Sequence, residues 1–374
     1  MTILVLSTCL HPIDFQNLIR SGQTLNPSHQ TYYEHLLATS ALSHRVVTMS
    51  LLPLGHLPGM TKGIRKAGQV AYHYPLPTTH RIIRLVRYHQ LVKRWIREQK
   101  EPFIIFVDGN SKTIMSFAKT LTLLQRTIII TDHPNHLSSL NQRAKKHHTS
   151  LLVGWDSYIT LTPSLNEAFN RDKKPFVIIS GFAEPRTVSS PHKRPYLFFS
   201  GALYNRYGID RLLDAFRQLN RPDIDLVVAG HGPESSFLER LSQTTSNIKF
   251  LGLIDHELVY RYQSNALLNV QPRPRDPDLD ADSIPSKLFE FLSSGAPTMS
   301  VMHPFFYPLY ADDVEWLDEG TVDEWVKRLT LFLQEDQKLH INKAQRVKTN
   351  MIHTYSRRAW RDALDAFIKA CIRS

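Results

Sequence analysis

Tyr196-Leu-Phe-Phe-Ser200-Gly201-Ala-Leu-Tyr-Asn-Arg206-Tyr-Gly208-Ile-Asp-Arg-Leu-Leu213 is the stretch from which the fold can be read. Tyr196–Ser200 is a short apolar run of the kind that forms a buried strand, and Gly208–Gln218 has helical character. A strand, a glycine at its end and then a helix is the opening of a βαβ unit. A glycine there lets backbone approach a phosphate, and a helix N-terminus offers free N–H groups and a partial positive charge. Arg206 adds a possible bidentate phosphate contact. A plain βα turn has the same pattern, so the neighbouring segments must decide.

Downstream the alternation continues. Strands are expected at Asp225–Ala229, Ile248–Leu251, Ala266–Val270 and Thr298–Val301, with helices at Glu234–Gln243, Asp255–Gln263 and Ser286–Ser293. A helical tail follows from Val322. Upstream, strands are expected at Thr2–Leu6, Val46–Leu51, Phe103–Val107, Thr127–Thr131, Tyr158–Leu161 and Phe176–Ile179, with helices at Gln30–Leu42, Arg81–Gln99, Lys112–Thr122 and Ser164–Asn170. Strands alternating with helices imply an α/β chain with parallel sheets. The Pro-, Ser- and charge-rich segment Ala183–Pro195 has linker composition and separates two such series.

The 374 residues fit two domains, each able to bury its own core. Cys9 and Cys371 form no disulfide framework and no zinc pattern, which suits a reducing compartment. The apolar N-terminus lacks a basic region and reads as a first strand, not a signal peptide. No apolar run approaches the length of a membrane span. The net charge of +11 is unevenly placed: residues 1–190 hold 22 Lys and Arg against 10 Asp and Glu, and residues 191–374 hold 23 against 24. A basic first half points to an anionic partner such as a membrane surface or a pyrophosphate-linked acceptor. Nucleic acid is disfavoured because no recognition module accompanies the charge.

Ligands of open α/β sheets bind at the carboxyl ends of strands. Three segments of the second half lie there. The first is Gly201–Gly208. The second is Gly230-His231-Gly232, where His231 is either a polar contact or an exposed turn residue. The third is Asp282-Ser-Ile-Pro285-Ser286-Lys287-Leu-Phe-Glu290-Phe-Leu-Ser-Ser-Gly295-Ala-Pro297. Pro285 suits a helix start, and Ser286 is expected to help cap it. Lys287 in the first turn opposes the helix dipole, a cost that a bound diphosphate would offset. Glu290 lies one turn on along the same face, where a carboxylate can accept two ribose hydroxyls. Gly295 and Pro297 end the helix.

Gly201-x₆-Gly208, Gly230-x-Gly232, Phe250-x-Gly252 and Pro-Ser-Lys-x-x-Glu-x₄-Gly-x-Pro, in this order, resemble the family-4 retaining glycosyltransferases of GT-B fold, with the nearest look to bacterial exopolysaccharide enzymes. The resemblance is dense between residues 196 and 300. It implies two Rossmann-like domains, residues 1–188 and 189–355, facing across a cleft, with a C-terminal helix, 356–374, crossing back to the first. It implies transfer of a sugar, with retention, from a nucleotide-sugar donor of UDP or GDP type to a glycan or lipid-linked acceptor, in polysaccharide or glycoconjugate assembly. No metal or other cofactor is expected. Of the acidic pair separated by seven residues that marks the donor site, Glu290 matches the second member and Asp282 stands at the first, usually Glu. Lys287 and Arg206 would bind diphosphate, Arg273 and Ser286 would join the donor contacts, and the backbone at Leu253 and Ile254 would face the base. The common lysine before the first-loop glycine is Tyr207 here, with Arg206 one place earlier. The run Asp276, Asp278, Asp280 reads as a solvated loop.

In the first half, Asp132 and His133 follow a strand end and are candidates for contact with the reacting sugar or the acceptor proton. Asp108-Gly109-Asn110 is a weaker candidate of the same kind. Gly22, Asn26 and Ser28 are placed on the acceptor side. The helix Arg81–Gln99, with Lys100 just after, carries seven cations and an apolar stripe of Ile82, Leu85, Val86, Val92, Trp95 and Ile96. Such a helix either packs its stripe into the core or lies on an anionic membrane, here the cytoplasmic face. Arg143-Ala-Lys145-Lys146-His147-His148 is a second basic cluster. Two other functions share the pattern: a sugar-nucleotide epimerase of the same fold, and a non-catalytic glycan- or protein-binding GT-B chain.

Overall fold

The structure, a computed structural model, describes all residues but 24, 56, 58, 59, 61, 62, 122–124, 135–140, 185–187, 281 and 374, and only the backbone of 278 and 279. The chain divides into two compact units, Met1–Phe182 with Arg357–Ser374, and Ala183–Ser356.

The first unit runs β1 (Thr2–Ser7), α1 (Pro12–Arg20), α2 (Pro27–Ser40), β2 (Arg45–Ser50), β3 (Gly63–Ala67), β4 (Val70–Tyr74), α3 (Arg81–Glu98), β5 (Phe103–Asp108), α4 (Lys112–Ala118), β6 (Arg126–Ile130), α5 (Gln142–Leu151), β7 (Ser157–Thr160), α6 (Pro163–Phe169) and β8 (Phe176–Ile178). Its sheet has the order β3-β4-β2-β1-β5-β6-β7-β8. All neighbours are parallel except β3 with β4. β1, β5, β6 and β7 are almost wholly buried, which is why they read as apolar runs. The β3–β4 hairpin was not expected. Ile64 is exposed and Arg65 and Lys66 sit on this edge strand, so it shows no apolar run. α1 and α5 are likewise additional to the sequence expectation, and α5 carries the second basic cluster.

The second unit runs β9 (Tyr196–Ala202), α7 (Ile209–Leu219), β10 (Asp225–His231), α8 (Ser235–Thr244), β11 (Ile248–Phe250), α9 (His256–Asn265), β12 (Leu268–Gln271), α10 (Pro277–Asp280), α11 (Ser286–Ser294), β13 (Thr298–Val301), α12 (Tyr307–Tyr310), β14 (Glu315–Leu317), α13 (Val322–Gln334) and α14 (Gln337–Tyr355). Its parallel sheet has the order β11-β10-β9-β12-β13-β14. One face packs α7, α8 and α13 through Leu212, Phe216, Leu238, Trp325 and Leu329. The other takes α9 and α11 through Val259, Tyr262 and Phe291.

The final helix, α15 (Arg357–Arg373), belongs to the first unit, where it packs on α2 and β8. Ser43 Oγ and His44 Nε2 meet the Asp365 carboxylate at 2.7 and 3.0 Å. Trp360 Nε1 donates to the Gly181 carbonyl at 2.6 Å. Among the described residues, no helix is long and apolar enough to cross a membrane.

Candidate functional site

In the second unit β9 and β12 are neighbours, and the strand order reverses between them. That reversal is where an open α/β sheet forms its ligand crevice. Four glycines shape the loops there. Gly208 has φ +81, and a Cβ on it would collide with the Pro272 carbonyl at the end of β12. Gly230 has φ +144, and its Cβ would collide with the Gly201 carbonyl; a Cβ on Gly232 would meet that of Leu203. The glycines at 230 and 232 are therefore required by the neighbouring loop. A Cβ on Gly201 would meet the Phe199 ring at 3.3 Å, a tight contact but not a collision with backbone.

Helix starts differ around this crevice. α1 to α6 each have a side chain capping the first turn: His11, Asn26, His80, Ser111, Asn141 and Thr162. Asp255, Thr321 and Asp336 do the same for α9, α13 and α14. α7, α8 and α11 begin on Gly208, Glu234 and Pro285 with no side-chain cap. Ser286 is exposed and does not cap α11, contrary to expectation. Uncapped first turns leave N–H groups for an anion.

On α11, Lys287 Nζ lies 2.8 and 3.1 Å from the two Glu290 oxygens. Nε2 of buried Gln263, on α9, donates to Glu290 Oε2 at 3.1 Å and reaches Ser200 Oγ of β9 at 3.4 Å. Asn269 Nδ2 of β12 holds the Gln263 carbonyl at 3.0 Å. Glu290 is thereby tied to both strands of the crevice. Gln263 had no signal in the sequence, because a glutamine on a helix reads as surface. The Gly295 prediction is accurate: it is left-handed at φ +88, and Gln345 of α14 donates to its carbonyl at 2.9 Å.

Other predicted residues are placed as follows. The Arg206 guanidinium lies over the rings of Tyr204 and Tyr207, 5.1 and 4.9 Å from their centroids, on an exposed turn before α7. Cation–π contact holds a charge in place without neutralising it. His231 is exposed at the end of β10, Leu253 is 76% exposed, and Ile254 is half-buried. Asp282 is half-buried in the turn before Pro285.

Arg273 is held by a carboxylate of its own loop. Its Nη2 pairs with Asp280 Oδ1 at 3.0 Å, and Asp280 Oδ2 accepts the Asp276 N–H at 3.0 Å. Asp280 is buried, not solvated, and burial pushes its carboxyl up. The loop thus folds inward on its own ion pair, a feature a Pro- and Asp-rich stretch hides. His303, just after β13, lies 3.9 Å from Asp280. Burial first, then the Arg273 charge, lowers its pKa from 6.5 to about 4. His303 is therefore neutral in the fold but takes a proton on unfolding below pH 6.5. Its contribution is complete above that pH and is lost as pH falls towards 4, at most about 3 kcal/mol. Urea unfolding at pH 7 and pH 4.5 is expected to show this loss, and His303→Gln to flatten it; equal slopes in both proteins would refute the assignment.

In the first unit, Asp132 accepts the His133 N–H at 2.9 Å, and the His133 ring lies against Phe169 at 5.3 Å. Asn135 and His136 lie outside the described residues. Gly22 is exposed at φ +86, Asn26 caps α2 by accepting the His29 N–H, and Ser28 is exposed in its first turn. The stronger cluster is at Asp108, again where the strand order reverses, between β1 and β5. Asp108 Oδ2 accepts from the Thr8 hydroxyl and N–H, and Oδ1 from the Asn110 N–H. Burial alone would raise this carboxyl, but the His29 ring and these N–H groups outweigh it and hold it below its usual range. Asn110 Nδ2 donates to Thr131 Oγ1 at 2.6 Å. Among the described residues, no three His, Cys, Asp or Glu side chains are gathered to hold a metal ion.

Residues 182–354 match the family model described as glycosyl transferases group 1. No curated protein matches the chain. The fold is similar to that of sucrose-phosphate synthase from Thermosynechococcus elongatus, with a TM-score of 0.72 at 13% identity over the whole of both chains. It is similar to α,α-trehalose 6-phosphate synthase from Burkholderia multivorans, with a TM-score of 0.66 at 10% identity over 100% of this chain and 99% of that one. Anabaena Alr3699/HepE in complex with UDP gives 0.67 at 13% identity over 99% and 100%. At such identities the likeness is one of fold.

Proposed function

Residues 182–354 are a glycosyl transferases group 1 domain, the chain is a glycosyltransferase of GT-B fold, and from that premise we propose that it moves a sugar from a UDP-type donor to a glycan or lipid-linked acceptor. The observation that carries the donor reading is the Lys287–Glu290 pair beside the uncapped starts of α7, α8 and α11. Glu290, held by Gln263, takes the ribose hydroxyls. Lys287 and the free N–H groups of an uncapped helix start meet the diphosphate, and Arg206 adds its charge from the turn before α7. No metal is called on, since these groups supply the positive charge. As the bond to the sugar breaks, charge builds on the leaving diphosphate, and fixed donors stabilise it. Asp282 is assigned to the donor sugar and retention to the anomeric outcome, both on the family resemblance. UDP is favoured because similar folds were solved with UDP and glucose, and with UDP-2-fluoro glucose. Thermal-shift screening against UDP-, GDP-, ADP- and TDP-sugars is expected to select UDP. Stabilisation by none of them would overturn the donor reading.

We further propose that α3 seats the chain on the anionic cytoplasmic face of a membrane, as in polysaccharide or glycoconjugate assembly. Only the later half of its stripe enters the core, through Tyr88, Val92 and Trp95. Ile82, Ile83 and Val86 are 65, 42 and 45% exposed, amid Arg81 and the basic helix. Arg84 and Arg87 bond the carbonyls of Leu52, Leu76 and Pro77, so reversing their charge would also disturb the fold. A cleaner test replaces Ile82 and Val86 by Asp. Binding to phosphatidylglycerol vesicles is expected to fall at least tenfold, whereas unchanged binding would return α3 to a structural role.

A further inference from the structure

Lys287 and Glu290 are spent on each other. The ammonium reaches both carboxylate oxygens, Oε1 at 3.1 Å and Oε2 at 2.8 Å. An ammonium has about three N–H donors and a carboxylate about four acceptor positions. Lys287 therefore keeps a single donor for anything else. On the carboxylate, Lys287 takes a position on each oxygen, and Gln263 Nε2 takes a second on Oε2 at 3.1 Å. What remains is a single position on Oε1, too little for a pair of ribose hydroxyls. Each residue is thus partly closed to the ligand group assigned to it. The two side chains are 30 and 27% exposed, so a ligand can reach them and draw them apart.

We propose that this ion pair makes the site selective for a nucleoside diphosphate over its separate parts, each residue masking the other until a ligand carrying both ribose and diphosphate opens the pair. The inference rests on the donor reading above, with Glu290 on ribose and Lys287 on diphosphate. Opening the pair costs the same whichever ligand opens it. A nucleoside gains acceptors at Glu290 but leaves Lys287 with nothing in exchange. A nucleoside diphosphate draws Lys287 to its phosphates, and the same movement frees an acceptor on each Glu290 oxygen for the hydroxyls. The two ends of the ligand therefore bind with positive coupling through one contact. Gln263 is buried, and Asn269 Nδ2 holds its carbonyl at 3.0 Å. It stays on Oε2 when Lys287 leaves and keeps the carboxylate aimed.

The test compares the wild type with Lys287→Met, which keeps most of the side-chain length and removes the charge. Affinities for UDP and uridine are measured by calorimetry and ligand-observed NMR. UDP affinity should fall at least about tenfold, the loss of a hydrogen bond to a charged group. Uridine affinity should rise at least about twofold, the factor that an exposed pair at this spacing allows. Uridine is uncharged, so loss of the ammonium has no direct Coulomb effect on it. Dideoxyuridine, which lacks both ribose hydroxyls, should bind the two proteins equally. Uridine affinity that is unchanged, lowered or undetectable in Lys287→Met would overturn the inference, as would an equal gain for dideoxyuridine. UDP binding to the wild type would leave the donor reading standing in either case. If GDP, ADP or TDP binds in place of UDP, its nucleoside replaces uridine. Binding of none of the four to the wild type would overturn the donor reading, and this inference with it.

Discussion

Lys287→Ala is expected to lower sugar transfer by about 10²–10³-fold, the usual loss when one charge-stabilising donor is removed. Its melting temperature should hardly move. Lys287 and Glu290 stand three residues apart on α11, both about 30% exposed, and such a pair is worth only about 0.2–0.5 kcal/mol to the fold. A lysine in a first turn is also unfavourable to the helix dipole, so its removal returns part of that energy. Glu290→Gln separates the two halves of the site. It should weaken nucleotide binding about 10–100-fold, the range for hydrogen bonds to a charged group, and leave Lys287 for the diphosphate. Steady-state kinetics and calorimetry on both variants give the answer. Transfer by Lys287→Ala at a rate within threefold of the parent would remove the diphosphate assignment.

Gly230→Ala is expected to destabilise the second unit by about 2–6 kcal/mol, from backbone strain and overpacking together. For a unit of this size that lowers the melting temperature by about 5–20 °C. The backbone at φ +144 is closed to alanine, and the new methyl would strike the Gly201 carbonyl. Relief requires β9 and β10 to separate at their carboxyl ends, where they pair through Gly201 and Gly230. Gly252→Ala is the control. Gly252 has φ +61 and open space around it, so only the conformational strain of about 1–2 kcal/mol applies. Equal melting temperatures for the two variants would mean that the loops do not pack as described.

Much of the donor segment could be read from the chain because its signals are local. A proline at a helix start, a lysine and a glutamate one turn apart and a left-handed glycine at the end all lie within thirteen residues, Pro285–Pro297. Gln263 and Ser200, which tie Glu290 to the sheet, come from other elements and gave no warning. Asp280 shows the opposite failure. Its run reads as a solvated loop, but Asp280 is buried and turns back to pair with Arg273, seven residues before it. Local charge pattern does not reveal which carboxylate is buried. His29 and Asp108 are 79 residues apart, and no spacing rule joins them.

The sequence by itself determined the alternating strands and helices and the parallel class of both sheets, because buried parallel strands must be continuous apolar runs between turns. It also determined the end of α11 at Gly295, because only glycine enters the left-handed region without strain. Tertiary structure decided the rest. It set the strand order that puts Ser200, Asn269 and Glu290 at one crevice, the charged edge hairpin β3–β4, and the half of α3 that stays exposed. These depend on which surfaces meet, and burial of a polar or charged group is decided by partners distant in the chain. The pairing of His29 with Asp108 is of that kind: Asp108 stands out only as a strand-end residue and His29 not at all until β5 and α2 bring them within 3.2 Å.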